Sequence, residues 1–216
     1  AEHYAAVDIP RTAPAIAESS HPGWDGHLQG IRNHSNSELL TDDFVLAGAR
    51  QYYAMVSLID QKIGELLAGL EARGQLDNTL VIYASDHGEM LGDHGLMSKL
   101  SFYRSSVRVP LIIRPPEGMD PMVHEGPVQA FDIAATVLDA ADTQLDNTPA
   151  RSLLPLLGGA ASHRDWAASM IRQIPAARTW VGVTDGTWRA TFDNDSGDLV
   201  EPVSYTHLTL PTTRLV

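Results

Sequence analysis

Thr79-Leu80-Val81-Ile82-Tyr83-Ala84, running straight into Ser85-Asp86-His87-Gly88-Glu89, is the stretch on which the fold turns. Its first six residues are β-branched, aliphatic or aromatic, with almost no polar alternation. A strand of that composition is covered on both faces, as in a parallel sheet flanked by helices. Asp77-Asn78 supplies a turn just ahead of it. Residues 107–113 (Val-Arg-Val-Pro-Leu-Ile-Ile) read as a second such strand, with Pro110 near its start or on an edge. Upstream, Tyr52, Met55, Val56, Ile59, Ile63, Leu66, Leu67 and Leu70 recur at three- and four-residue steps. That spacing predicts a packed amphipathic helix over residues 44–73, capped by Thr41 or Asp42 and stopped at Gly74. Downstream, residues 131–141 predict a second helix with Ile133, Val137 and Leu138 turned inward. Strand, helix and strand in alternation give an α/β domain with a mostly parallel sheet.

The ends of the chain read differently. Residues 1–43 hold Pro10, Pro14, Pro22, Gly23, Gly26 and Gly30 with no sustained period, which predicts a surface loop. His3, His21, His27 and His34 then read as solvated loop histidines. Residues 179–192 alternate around Asp185-Gly186 as a β-hairpin, the beginning of a small antiparallel C-terminal subdomain. Residues 193–198 (Asp-Asn-Asp-Ser-Gly-Asp) form a turn; as a calcium loop they lack the closing Glu. Trp166, Trp180 and Trp188 read as packing residues, with sugar stacking as the alternative. Val203-Ser204-Tyr205-Thr206-His207-Leu208 is similar to the translation of a transposase adapter used in sequencing libraries, so residues 202–216 are expected to be a non-native tail.

The chain has 216 residues, 44% of them hydrophobic, enough for a packed core. Fifteen Lys and Arg against 27 Asp and Glu leave a formal charge of −12, which argues against nucleic acid and anionic membranes as partners. The absence of cysteine removes disulfides, Cys-based zinc sites and a Cys nucleophile within these residues. It suits the cytosol and the periplasm equally. No apolar run approaches the roughly 18 residues of a membrane span. The chain begins with Ala1 and no leader pattern, which reads as a truncated start.

Residues 85–99 (Ser-Asp-His-Gly-Glu-Met-Leu-Gly-Asp-His-Gly-Leu-Met-Ser-Lys) carry the chemistry. They begin where a buried strand ends, and open α/β sheets bind ligands beyond the carboxyl ends of their strands. Asp86 and His87 there suit a cation, with Gly88 allowing a sharp turn. A carboxylate fits Ca²⁺ or Mg²⁺, and the imidazole also admits Zn²⁺ or Mn²⁺. Lys99, 13 residues after Asp86, would bind a tetrahedral anion, sulfate or phosphate. Singly, Asp86 could cap a helix, His87 could be a buried hydrogen-bonded ring, and Lys99 could be solvated. Together, at the end of one strand, they favour a site.

Residues 52–116 resemble the sulfatase family of the alkaline-phosphatase superfamily. The resemblance rests on residues 52–64, 77–89, 91–99 and 108–116 in the family's order, and on Phe131-Asp132-Ile133-Ala134-Ala135-Thr136-Val137-Leu138 beyond them. It implies an alkaline-phosphatase-like fold and a sulfuric-ester hydrolase, with Asp86 and His87 as ligands of Ca²⁺ and Lys99 as a catalytic and substrate-binding residue on a sulfate oxygen. It implies a small-molecule or glycan sulfate ester as partner. The family nucleophile is a formylglycine made from Cys or Ser in Cys/Ser-x-Pro-x-Arg, whose hydrate attacks sulfur.

The chain departs from the family in having no such motif. Ser20-His21-Pro22-Gly23-Trp24 has the proline and lacks the arginine. The family's N-terminal Asp-Asp metal pair and upstream His are missing too. The expectation is therefore the downstream part of a sulfatase catalytic domain cut at both ends and inactive as it stands. Residues 1–174 would belong to that domain, 175–201 to a partial β subdomain, and 202–216 to the tail. The alternatives are a phosphate or phosphonate ester hydrolase of the same superfamily, and a non-catalytic metal-binding module.

Overall fold

Trp24, His27, Leu28 and Ile31 follow one another at helical spacing, and all four are buried along α1 (Pro22–Ser35). The loop expected over residues 1–43 is thus corrected in its second half. Pro22 stands in the first turn, where its fixed φ favours a helix start and its missing N–H costs nothing. Gly26 and Gly30, which suggested a loop, lie on the exposed side with open space around them. A glycine there costs about 1 kcal/mol, a penalty the buried face outweighs. A 3₁₀ turn, Ser37–Leu39, follows. The computed structural model describes residues 4, 7–9, 19, 21–144, 146–173 and 177–204. His3, and residues 205–216 of the adapter-like stretch, lie outside them.

The described residues form two units. The first takes Pro22–Thr79 and His87–Val109. Its longest element is α2 (Asp42–Ala72), capped as expected: Thr41 Oγ1 accepts the Phe44 N–H at 3.3 Å. At the other end Gly74, at φ 65°, donates its N–H to Glu71 O. The apolar stripe is present but packed only in part, with Ile63, Leu67 and Leu70 half-buried. Tyr52, Met55, Val56, Ile59 and Leu66 are exposed, and Ala49 is the buried residue of the helix. Periodicity states which face a helix can bury, not what buries it. Within α1's neighbourhood, Trp24 stacks on Phe102 with centroids 5.8 Å apart. A single helical turn, α3 (Arg104–Val107), replaces the start expected for the second strand.

The second unit takes Leu80–Asp86 and the described residues from Pro110 onward, with residues 19 and 21. β1 (Val81–Ala84) pairs with β2 (Leu111–Arg114), Val81 opposite Arg114 and Ala84 opposite Leu111. The pairing is antiparallel, where unbroken apolar runs had suggested parallel strands. The expected cover on both faces is also corrected: β1 is half-buried along its length and Ile112 of β2 is exposed, and the direction of a strand's neighbour is set by the connection. After α4 (Asp132–Asp139) and α5 (Leu154–Leu157), four strands form an antiparallel sheet in sequence order. They are β3 (Ala167–Arg172), β4 (Thr179–Thr184), β5 (Trp188–Asp193) and β6 (Leu199–Ser204). The expected hairpin is β4–β5. The sheet starts at Ala167, upstream of residue 175, and β6 carries the ladder through Pro202, Val203 and Ser204.

Several polar side chains of this sheet take buried positions beside the apolar Trp180 and Val200. Trp180, Arg189, Thr191 and Asp193 are buried, while Met170 and Trp188 are exposed. Arg189 is neutralised in place by Glu201 at 3.1 Å and also donates to Thr191 Oγ1. His21 is half-buried here, correcting its reading as solvated: Nε2 lies 3.8 Å from the Asp193 carboxylate, and the ring meets Trp180 edge-on. Trp180 packs as expected, whereas Trp166 and Trp188 are exposed. At residues 193–198 the Asp193 carboxylate accepts the Asp195 N–H, the pattern of an ordinary Asx turn.

α4 likewise buries polar side chains. Asp132 and Thr136, one turn apart, are fully buried, while Val137 faces an open groove with Ile133, Leu80 and Ile82. The expectation of an inward Ile133–Val137 face is corrected accordingly. The Asp132 carboxylate accepts backbone N–H groups from Gln129 and Arg151, each at 2.9 Å. It also accepts His163 Nε2–H at 3.0 Å and pairs with Arg164. Thr136 Oγ1 receives the Leu153 N–H. One buried carboxylate therefore ties α4 to the segments before α5 and before β3. Burial works against its charge, but the bonds from Arg151, Gln129, His163 and Arg164 outweigh it and hold its pKa below the usual carboxylate value.

A depressed folded-state pKa stabilises the native form above the unfolded value, and that contribution disappears as pH falls through the folded one. Urea midpoints should therefore drop below about pH 4 in the wild type. Asp132→Asn should cost about 3–5 kcal/mol at neutral pH and flatten that acid limb. An unchanged midpoint in the variant would contradict the role of this carboxylate.

Candidate functional site

Downstream of His87, the first unit carries a loop whose backbone is unusually constrained. Leu91, His94, Ser98 and Leu100 all have positive φ, at 48°, 58°, 71° and 71°. Gly92 and Gly95 share that region. An L-residue held there costs on the order of 1–3 kcal/mol, so neighbours must over-determine the path. Buried Met90, Leu96 and Phe102 anchor it. Met90 N–H donates to Ser98 O at 2.8 Å and Gly92 N–H to Leu96 O at 2.9 Å. Glu89 Oε1 accepts two backbone donors, Leu91 N–H at 3.2 Å and Ser98 N–H at 2.5 Å. The Asp93 carboxylate accepts the Ser105 hydroxyl, and the His94 ring lies against Tyr103.

The expected site residues sit as follows. Asp86 is exposed just past the C-terminal end of β1, in the second unit. His87 is exposed and opens the first unit's segment. Its Nδ1 lies 2.8 Å from Gly88 O. A carbonyl only accepts, so Nδ1 carries the hydrogen, and in the neutral ring Nε2 is the nitrogen able to ligate. Lys99 is half-buried in the same loop as His87, between the left-handed residues Ser98 and Leu100. Asp86 and His87 are joined by the chain itself.

These donors do not complete a calcium shell. Ca²⁺ takes about 6–8 oxygen ligands. Among the described residues no three His, Asp or Glu side chains converge on a point that could hold a metal. The residues present would furnish part of a coordination sphere.

Three residues that shape this loop play parts the sequence did not disclose. Glu89 lay inside the motif, but its two bonds depend on the loop's return at Ser98. Gly88 was expected to provide a sharp turn, yet its φ is not left-handed. Its need is space: its N–H donates to Ser106 O at 2.8 Å, and a Cβ would collide with the Ser105 carbonyl oxygen. His27 was read as solvated, but it is buried, stacked on Trp24, and bonded through Nε2 to Leu100 O at 2.8 Å. Burial pushes its pKa down, with the bond to Leu100 working the other way. The helical spacing of Trp24, His27, Leu28 and Ile31 was the available signal.

The architecture has counterparts among solved structures. A phosphonate monoester hydrolase from Silicibacter pomeroyi superposes with a TM-score of 0.76 at 25% identity, over 92% of this chain and 44% of its own. A structure solved with its substrate D-glucosamine-2-N,6-O-disulfate gives 0.63 at 29% identity, over 84% and 40%. The fold is α/β of the alkaline-phosphatase-like type. Residues 9–143 match the model of the Sulfatase family. The choline-sulfatase of Rhizobium meliloti (strain 1021) is 32% identical over 178 residues, 78% of this chain and 34% of that protein. Arylsulfatase K of Xenopus laevis is 31% identical over 161 residues, 70% and 30%. The chain belongs to the sulfatase family. It spans about a third of the length of these curated relatives.

Gly88→Ala should destabilise the protein by at least about 1–3 kcal/mol, because the obstacle is backbone and cannot rotate away. Gly26→Ala, in open space on α1, should be neutral or stabilising by a few tenths to about 1 kcal/mol. Thermal melts of the two variants side by side check the contrast.

Proposed function

We propose that these residues form part of a sulfuric-ester hydrolase and that Lys99 binds a sulfate oxygen of its substrate, a small-molecule or glycan sulfate ester. The observation that carries this reading is Lys99's place in a strained, heavily bonded loop just beyond Asp86-His87, in a chain of the sulfatase family. Strain of that kind persists where geometry matters to function. Asp86 and His87 would contribute a carboxylate and an imidazole to Ca²⁺, whose charge would stabilise the anion. The nucleophile, a formylglycine in this reading, and the remaining ligands would come from residues outside this sequence. The 216-residue chain by itself is then expected to hydrolyse nothing and to bind calcium weakly.

A second reading, phosphonate or phosphate ester hydrolysis, draws support from the likeness to the Silicibacter enzyme. Both substrates present a tetrahedral anion to a lysine, so the loop suits either.

Lys62 and Lys99 are the two lysines of the sequence, which makes acylation followed by peptide mass spectrometry a site-resolved assay. Inorganic sulfate should slow acylation of Lys99 and leave Lys62 unaffected. In Lys99→Ala, sulfate affinity by calorimetry should fall about tenfold or more, the loss of one charge-assisted hydrogen bond. Equal protection of both lysines would defeat the assignment. Protection by methylphosphonate at much lower concentration than sulfate would favour the second reading.

A further inference from the structure

Lys99 has a long flexible stem with four rotatable carbons, so the protein can aim it only by fixing the backbone that carries it. That backbone is held on both sides. On the preceding residue, Ser98 N–H is donated to Glu89 Oε1 at 2.5 Å. On the following residue, Leu100 O accepts from His27 Nε2–H at 2.8 Å. The same Glu89 oxygen takes Leu91 N–H, so one carboxylate closes the loop from residue 91 to residue 98. Both neighbours of Lys99 adopt φ 71°, a conformation that costs an L-residue energy and needs such tethers to persist. His27 is itself immobilised, buried in α1 against Trp24, whose other neighbour is Phe102. The tethers therefore trace back to the packed core of the first unit.

We infer that Glu89 and His27 are positioning residues, a two-point clamp that presents Lys99 to the anion by holding the Ser98 N–H on one side of it and the Leu100 carbonyl on the other. The clamp rests on the proposed role of Lys99 for its purpose, and its geometry can be tested apart from that role. What matters in Glu89 is an oxygen that accepts two N–H groups, so glutamine can substitute for it. What matters in His27 is a buried ring N–H, so phenylalanine cannot.

The test uses the 216-residue chain and the ratio of acylation rates at Lys99 and Lys62. Lys62 is exposed on α2 and serves as internal reference. In the wild type Lys99 should react more slowly than Lys62. Glu89→Ala should raise the ratio about tenfold, as should His27→Phe, because each removes a hydrogen bond worth that factor. Glu89→Gln should stay within about twofold of the wild type, since its amide oxygen still accepts. A global loss of stability would move both lysines together, and a need for the carboxylate charge would not be met by glutamine. An unchanged ratio in both Glu89→Ala and His27→Phe would overturn the clamp. If those variants lose helical circular dichroism, amide exchange of Ser98 in the wild type decides. Protection of at least about tenfold over an unstructured amide supports the clamp, and free exchange overturns it. Repeating the assay with inorganic sulfate separates the two ideas. A clamp intact by these readouts with no sulfate protection of Lys99 refutes the proposed function alone; protection without the Glu89 and His27 effects refutes the clamp alone.

Discussion

Four non-glycine residues in the left-handed region within ten positions are the constraint around which the first unit is built. Such a path is unstable alone, because each residue forces its Cβ toward a carbonyl oxygen. It survives because Glu89 reaches across its neck, Met90 bonds to Ser98, and Leu96, Met90 and Phe102 are buried beneath it. The absence of a side chain at Gly88 belongs to the same solution: only there can the backbone approach residues 105 and 106 closely enough to be tied to them. α1 supplies the last hold through His27, so a helix far upstream in sequence supports the segment that carries Lys99.

The second unit rests on a different economy. Beside the buried apolar residues Leu153, Leu156, Trp180 and Val200 it buries polar ones: Asp132 and Thr136 on α4, and Arg189, Thr191 and Asp193 in the sheet. A buried charge is tolerable only when its hydrogen-bonding capacity is filled. Asp132 achieves this with two backbone amides, an imidazole and a guanidinium. The counterpart is apolar surface left open, at Met170 and Trp188 and along α2 in the first unit. Exposed apolar surface on each unit is suited to further contacts.

Much of the local structure was legible in the residue order. The 31-residue α2, its Thr41 cap and its Gly74 stop follow from spacing and from side chains acting within one turn. The β4–β5 hairpin follows from alternation about Asp185-Gly186. α1 was equally readable in principle, but prolines and glycines weighed more than a four-residue stripe. Its glycines turned out to lie on the solvated side, where they cost little.

Residue order alone put Asp86, His87 and Lys99 after an apolar strand, because residue type and spacing are local properties. It determined the family for the same reason: the motifs recur in order. Long-range packing settled that β1 and β2 run antiparallel, that Asp132 rather than Val137 is the buried side of α4, and that Glu89 and His27 hold the Ser98 N–H and the Leu100 carbonyl. Each of these depends on a partner distant along the chain. A period of 3.6 or 2 residues specifies a face, and long-range packing alone specifies what that face meets.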